Sequence, residues 1–226
     1  IDGTVGAQGR RLDFEAIGDA SFVPPSLTTS AGVFVFQRYQ REALTFEGGL
    51  RAERQAIDPS ATSGLPGQSG TAISGSIGAL WKRSPELSVA FNLGHSQRHP
   101  SATELYADGP HEATGQFIIG DPGMRKEAAN TLDVILRGGT AASWQISAWV
   151  SRFNDFIYLQ PTGAVADDLP VYIYRQGSAM LHGAEVEMSA AIHHRGAGEL
   201  LLRLASDLVR GSLSDGGPLP AIPPLR

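Results

Sequence analysis

Leu87-Ser-Val-Ala-Phe-Asn-Leu-Gly-His-Ser-Gln-Arg-His-Pro-Ser-Ala-Thr-Glu-Leu-Tyr106 holds a strand and the start of the loop that leaves it. Leu87, Val89, Phe91 and Leu93 fall on one face, and Ser88, Ala90, Asn92 and Gly94 on the other. Alternation of this kind is the period of a β-strand with one apolar and one polar face. The next alternating segment starts near Leu132, so roughly thirty residues intervene. Loops of that length are uncommon in compact domains and are usually functional or disordered. This one concentrates polar, ionisable and turn-forming residues, with His95, His99 and His111 among the 6 His of the chain.

The same period extends outward in both directions. Trp144, Ile146, Ala148 and Val150 alternate with Gln145, Ser147, Trp149 and Ser151. Val186, Met188, Ala190 and Ile192 alternate with Glu185, Glu187, Ser189 and Ala191, and Phe46, Gly48, Leu50 and Ala52 with Glu47, Gly49, Arg51 and Glu53. Leu200 to Leu208 follows the pattern too, although its Leu and Ala content also suits a helix. About ten strands are expected, near 12–20, 30–39, 42–57, 71–83, 86–97, 128–138, 143–160, 170–177, 180–193 and 198–211. Tight turns are expected at 83–86, 138–142 and 194–197, and longer Pro-, Gly- and Asp-bearing loops at 58–70, 98–127 and 161–169. Short turns at one end and long loops at the other suit an antiparallel up-and-down transmembrane β-barrel, here partial. Small residues on the polar faces suit a wide lumen. Phe34, Phe36, Tyr39, Trp81, Phe153, Phe156, Tyr158, Tyr172 and Tyr174 are expected toward strand ends, as in interfacial girdles.

Composition narrows the function classes. A formal charge of −5 gives no basic footprint, so no nucleic-acid partner is expected. Cys 0 leaves His and carboxylates as the metal donors on offer. No apolar run of about 18 residues is present, so no transmembrane helix is expected, but a spanning strand needs only ~9–11 residues. There is no Gly-x-Ser-x-Gly elbow, and Gly64-Leu-Pro-Gly-Gln-Ser-Gly70 lacks the Lys-Ser/Thr of a phosphate loop, so no enzyme is expected.

The candidate ligand contacts are His95, Arg98, His99, Glu104, Tyr106, Asp108, His111 and Glu112. His and carboxylates are the groups a cysteine-free zinc site would use, with His99 and His111 the candidate metal ligands. Their spacing is irregular. The competing reading has Arg98 and His99 orienting the loop and His111 solvated, with His99 held extended by Pro100. The pair His193-His194 sits at a tight turn and is read as solvated. Glu47, Arg51, Glu53, Glu185, Glu187, Arg203 and Asp207 belong to the lumen face, where they pair, meet a plug or are solvated.

Arg98-His-Pro-Ser-x-x-Glu-Leu-Tyr106 resembles a loop of TonB-dependent outer-membrane receptors, especially their zinc- and iron-uptake branch. Phe22-Val-Pro-Pro-Ser-Leu-Thr-Thr29, Leu44-Thr-Phe-Glu-Gly-Gly-Leu-Arg-Ala-Glu-Arg54, Phe153-Asn-Asp-Phe-Ile-Tyr-Leu159 and Gln176-Gly-Ser-Ala-Met-Leu-His-Gly-Ala-Glu185 extend the likeness. The resemblance implies residues 1–226 form part of the receptor's β-barrel, in the bacterial outer membrane and in contact with its lipid. It implies energised uptake of zinc, a ferric siderophore or haem, the cargo being transported and no cofactor required. The partners implied are the receptor's own plug domain and the TonB complex. The chain carries no plug, no TonB-contacting box and no terminal strand ending in an aromatic. With no initiating Met before Ile1 and a turn-like end at Pro220 to Arg226, it is expected to be an internal piece of a longer protein. About ten strands against the ~22 of such transporters would leave two open edges, which invites pairing with another copy. The alternatives are a passive porin or adhesin-type barrel and a secreted β-sandwich binding module.

Overall fold

The computed structural model describes residues 1–16, 21–140, 142–194, 198–215, 217, 219, 220 and 222, with backbone alone for 192–194, 198 and 199. Its strands are β1 (Asp2–Phe14), β2 (Ser26–Arg41), β3 (Leu44–Pro59), β4 (Gln68–Ser84) and β5 (Leu87–Arg98), then β6 (Asp108–His111), β7 (Gln116–Ile119) and β8 (Glu127–Gly139). β9 (Ala142–Ala166), β10 (Leu169–His194) and β11 (Gly198–Leu213) complete the set. A 3-10 turn covers Ala61–Ser63, and one short helix, α1 (Ala102–Tyr106), lies between β5 and β6. Nine long strands form an antiparallel wall in the order β1-β2-β3-β4-β5-β8-β9-β10-β11. The described strands form a single sheet, in which β1 and β11 lie at opposite edges without pairing to each other. A sandwich would need a second sheet packed on the first.

Register carries the alternation across the wall. Val35, Leu50, Gly75, His95, Asn130, Arg152, Met180 and Ser212 form one lateral row, and Gly48, Ile77, Leu93, Leu132, Val150, His182 and Arg210 the next. The apolar side chains of this face are left open: Leu50 is 64% exposed, Ile77 63%, Leu93 52% and Phe91 51%. The opposite face carries Glu47, Arg51, Glu53, Ser74, Ser76, Asn92, Asp133 and Ser147 at the intervening positions.

The edge of the apolar band reports the tilt of the strands. Outward positions turn polar at Arg54 on β3, Thr71 on β4, His95 on β5, Asn130 on β8, Arg152 on β9, His182 on β10 and Arg210 on β11. Followed along the lateral row, Arg210 is level with Gly48, and the boundary on β3 lies 54 − 48 = 6 residues beyond it. Six residues over the six steps from β3 to β11 average one residue per strand, taken up as four between Thr71 and His95 and two between Arg152 and His182. A rise of ~3.3 Å per ~4.8 Å of strand spacing is an angle of roughly 35°, at the low end of the ~35–45° tilt of transmembrane barrels. A plane perpendicular to a barrel axis therefore follows the end of the apolar band to within two residues on all seven strands. Tyr39, Phe46 and Trp81 lie on the same face toward the short-turn end, each 45% exposed, where an interfacial girdle belongs.

Several boundaries differ from those expected. The first strand is Asp2–Phe14 instead of 12–20, because its Gly3, Gly6, Ala7 and Gly9 give no apolar alternation; 17–20 lie outside the described residues. The stretches 170–177 and 180–193 are one strand, with a register irregularity between Gly177 and Ala179. The expected loop 161–169 is mostly strand, since β9 and β10 run on to a tight turn at Asp167 and Asp168, with φ of 50° and 60°. Asp tolerates that left-handed geometry, which a two-residue hairpin turn needs. Phe34 and Phe36 stand in mid-strand on the inner face, and Tyr174 packs beneath the folded loop, so these three are not girdle residues. Residues 195–197 of the expected tight turn, and most of the turn-like end 220–226, lie outside the described residues.

Candidate functional site

The long loop is folded, and it packs on the inner face. Ser101 caps α1 through a reciprocal pair: its Oγ accepts from the Glu104 amide at 3.3 Å, and its own amide donates to Glu104 Oε2 at 2.7 Å. Arg98 ends β5 and donates two parallel hydrogen bonds to Glu104, at 2.9 and 3.0 Å. The same guanidinium reaches Glu127 Oε1 at 3.1 Å. Glu127 is buried at the start of β8, and its other oxygen accepts from the Ile157 amide at 2.9 Å. One planar cation thus joins the two stems of the loop to its helix, a role for which Arg is better shaped than Lys.

Under the helix lies a buried hydrophobic cluster. Leu105 and Tyr106 are buried with Ile57, Met124 and Ile157, and Tyr174 packs against them. The Tyr106 hydroxyl donates to Pro66 O at 2.8 Å, which ties the loop to the β3–β4 connection. A second cluster joins Val23, from the β1–β2 connection, to Ala107 and Ile118. β7 adds in parallel to the free side of β10 at Val171–Ile173, above the stretch where β11 pairs. Val23 and β10 are six strand steps apart along the wall, so one small cluster joins them only if the sheet curves with its inner face concave. The loop is then a chord across the mouth of that curve. A bulge at Phe153–Phe156, with Asp155 at φ 54°, brings Ile157 and Leu159 onto the loop. Gly120 is required by close approach, since a Cβ there would stand 2.7 Å from the Leu105 carbonyl carbon.

The expected contact residues are therefore distributed. Arg98, Glu104 and Tyr106 come together in the frame of the loop. His99 is half-buried over Gly70, with Nε2 shielded from solvent and without a hydrogen-bond partner. Burial, reinforced by the Lys126 ammonium, lowers its pKa below the ordinary histidine value, against the opposing pull of Glu53. His95 is on the other face of the wall, where its Nδ1 lies 2.9 Å from Asn130 Oδ1. Asp108 and Glu112 are exposed beside the 111–116 turn. His111 sets its ring edge-on to Phe22 at 4.6 Å and engages Thr114 Oγ1 at 2.9 Å. Among the described residues no group of three or more His, Asp or Glu side chains is placed to hold a metal ion. The side chains of His193 and His194 lie outside what is described.

Sequence reasoning did not single out Glu127, Lys126 or Gln176. Lys126 Nζ donates to Thr71 O at 2.5 Å and Gln97 Oε1 at 2.9 Å. Gln176 closes a reciprocal pair with the Arg125 backbone, at 2.8 and 2.7 Å. All three act across long sequence separations, which periodicity does not report. On the inner wall Arg38 pairs with Glu47 at 2.7 Å and Arg51 with Glu53, whereas Glu185 stands opposite Asp207.

The family described as TonB dependent receptor-like, beta-barrel, matches residues 3–226. Among solved structures, the copper transporter OprC superposes with a TM-score of 0.73 at 20% identity, covering 88% of this chain and 31% of that one. The Serratia marcescens hemophore receptor HasR, in complex with its hemophore HasA and heme, gives 0.62 at 13% identity, with 93% and 41% covered. The FrpB iron transporter from Neisseria meningitidis gives 0.59 at 17%, with 84% and 27% covered. The chain spans about a third of the length of the copper transporter. At these identities the structural likeness shows the fold alone.

Proposed function

The chain belongs to the TonB-dependent receptor-like β-barrel family, and from that premise we propose that it is wall and mouth of a receptor that takes up a metal ion or metal chelate. Barrels of this family lie in the bacterial outer membrane. The nine wall strands are a part of the ~22 of such transporters, the remainder of the receptor supplying the other strands, the plug and the contact with TonB. The observation that carries the reading is the loop 99–126 folded across the concave face. A passive porin needs an open lumen, whereas a receptor that hands cargo to a plug benefits from a structured mouth.

Within the mouth, capture is assigned to the exposed Asp108, Glu112 and the neighbouring His111, while Arg98, Glu104 and Tyr106 hold the frame. The cargo class rests on the family and on neighbours named for copper, iron and heme. Inward charges such as Glu185 and Asp207, two like charges face to face, suit a cationic surface of the plug. The test is calorimetry on the full-length receptor with zinc, cupric ion, a ferric catecholate and haem, beside an H111A/E112A variant. Micromolar or tighter binding of one probe, weakened at least tenfold in the variant, is expected. Binding of every probe unchanged in the variant would move capture away from this tip.

A further inference from the structure

The short-turn end of the inner face carries a polar cluster that neither the folded loop nor the capture tip uses. Arg137, Gln145, Glu187 and Ala205 are successive in one lateral row, and Ser143, Ser189 and Arg203 in the next row toward the turns. They surround a concavity of about 470 Å³, within the ~300–1,000 Å³ of small-molecule sites. Short side chains at Ser143, Ser189 and Ala205 open it, and the longer Arg137, Glu187 and Arg203 stand exposed around it. The two arginines are three strand steps apart, roughly 14 Å at ~4.8 Å per step, and the concave curve of the wall turns them toward each other. Glu187 is one diagonal from Arg203, yet among the described residues no ion pair includes Arg137 or Arg203.

The cluster is a set of donors with one strong acceptor. Arg137 Nε donates to Gln145 Oε1 at 2.6 Å, which leaves the terminal guanidinium nitrogens and the Gln145 amide nitrogen as donors. Ser143 and Ser189 share one hydrogen bond at 2.7 Å, so one of their two hydroxyl protons is still available. Guanidinium forks, an amide and a hydroxyl fit carboxylate oxygens, and Glu187 accepts from a hydroxyl on the same molecule. The next row toward the mouth carries Glu185 opposite Asp207, two carboxylates that repel an anion from that side. We infer that this pocket is a second ligand site of the barrel wall, at its periplasmic end, and that it takes a small hydroxycarboxylate. Its carboxylates lie on Arg137 and Arg203 and its hydroxyl donates to Glu187. A hydroxycarboxylate is a metal chelator, so a bound one stands where a metal ion leaves the lumen. That role rests on the uptake reading; occupancy of the pocket does not.

The test is calorimetry of citrate against the full-length receptor in metal-free buffer, beside tricarballylate, which is citrate without its hydroxyl. Citrate is expected to bind the wild type, and to bind R137Q/R203Q at least tenfold more weakly. Tricarballylate should bind the wild type at least fivefold more weakly than citrate, and E187Q should remove that preference. R210Q, which takes away an outward arginine, should leave citrate binding unchanged. H111A/E112A should also bind citrate as the wild type does, so a failure of the capture tip leaves this result standing. Heat-modifiable gel mobility reports that each variant is folded. No citrate binding by the wild type, equal binding of tricarballylate, or undiminished binding by R137Q/R203Q would each overturn the inference. The first two are read on the wild type and decide the matter even if the double variant does not fold.

Discussion

Arg98 is the residue on which the loop turns, because it meets Glu104 of the helix and Glu127 of the next strand at once. Glu127 is only 10% exposed and also holds the Ile157 amide, so its removal leaves that amide without its partner and Arg98 with Glu104 alone. E127A should cost about 1–3 kcal/mol, the range for leaving buried polar groups unsatisfied. The loss belongs to the loop, and limited proteolysis should cut 99–126 faster while the wall keeps its gel mobility. His99 gives a pH dependence with a definite sign. Its folded pKa lies below the unfolded value of ~6.5, so the unfolded loop binds the proton first. The contribution of His99 is complete above pH ~6.5 and is lost as pH falls through its folded pKa. Protection factors of the loop amides, taken against the intrinsic exchange rate at each pH, should fall on moving from pH 7.5 to 5, and H99Q should flatten that change.

At the scale of elements, the long strands were legible and the folded loop was not. Alternation in Leu87–Leu93 or Trp144–Val150 needs only neighbours in sequence, whereas β7 exists because β10 offers a free edge far along the chain. The five-residue α1 is too short to stand alone and depends on its capping box and on burial of Leu105 and Tyr106. The Arg-His-Pro-Ser-x-x-Glu-Leu-Tyr run was recognisable as a pattern, and one of its two readings already had Arg98 orienting the loop; the frame it builds with Ser101, Glu104, Leu105 and Tyr106 depends on contacts distant in sequence. L105A, at a position with no exposure, should cost about 2–5 kcal/mol and loosen the loop without unfolding the wall. Its readout is the protease sensitivity of 99–126 against the heat-modifiable band. In β4, Ile77 and Ser76 are adjacent and face opposite ways. I77K should lower barrel stability by ~2–4 kcal/mol in bilayer folding titrations, and S76K should change it little.

For the whole molecule, the decisive relation is the six-residue climb of the polar boundary from Arg210 to Arg54, which no single strand contains. It converts a sheet with an exposed apolar face into part of a tilted barrel wall seen from the lipid side. This chain has Cys 0, so once any cysteine of the remaining receptor is replaced by Ser, single cysteines placed here report without background. The measurement is spin-label accessibility to oxygen and to a water-soluble nickel chelate, at each position from 87 to 98 of the full-length receptor in bilayers, with labels also at 54, 152 and 210. The predicted result is period-two alternation, with Val89, Phe91 and Leu93 oxygen-exposed and Ala90 and Asn92 nickel-exposed. His95, Arg54, Arg152 and Arg210 should share one depth at the interface. Loss of the alternation, or Arg54 and Arg210 at depths that differ by the full six-residue offset, would contradict the barrel wall.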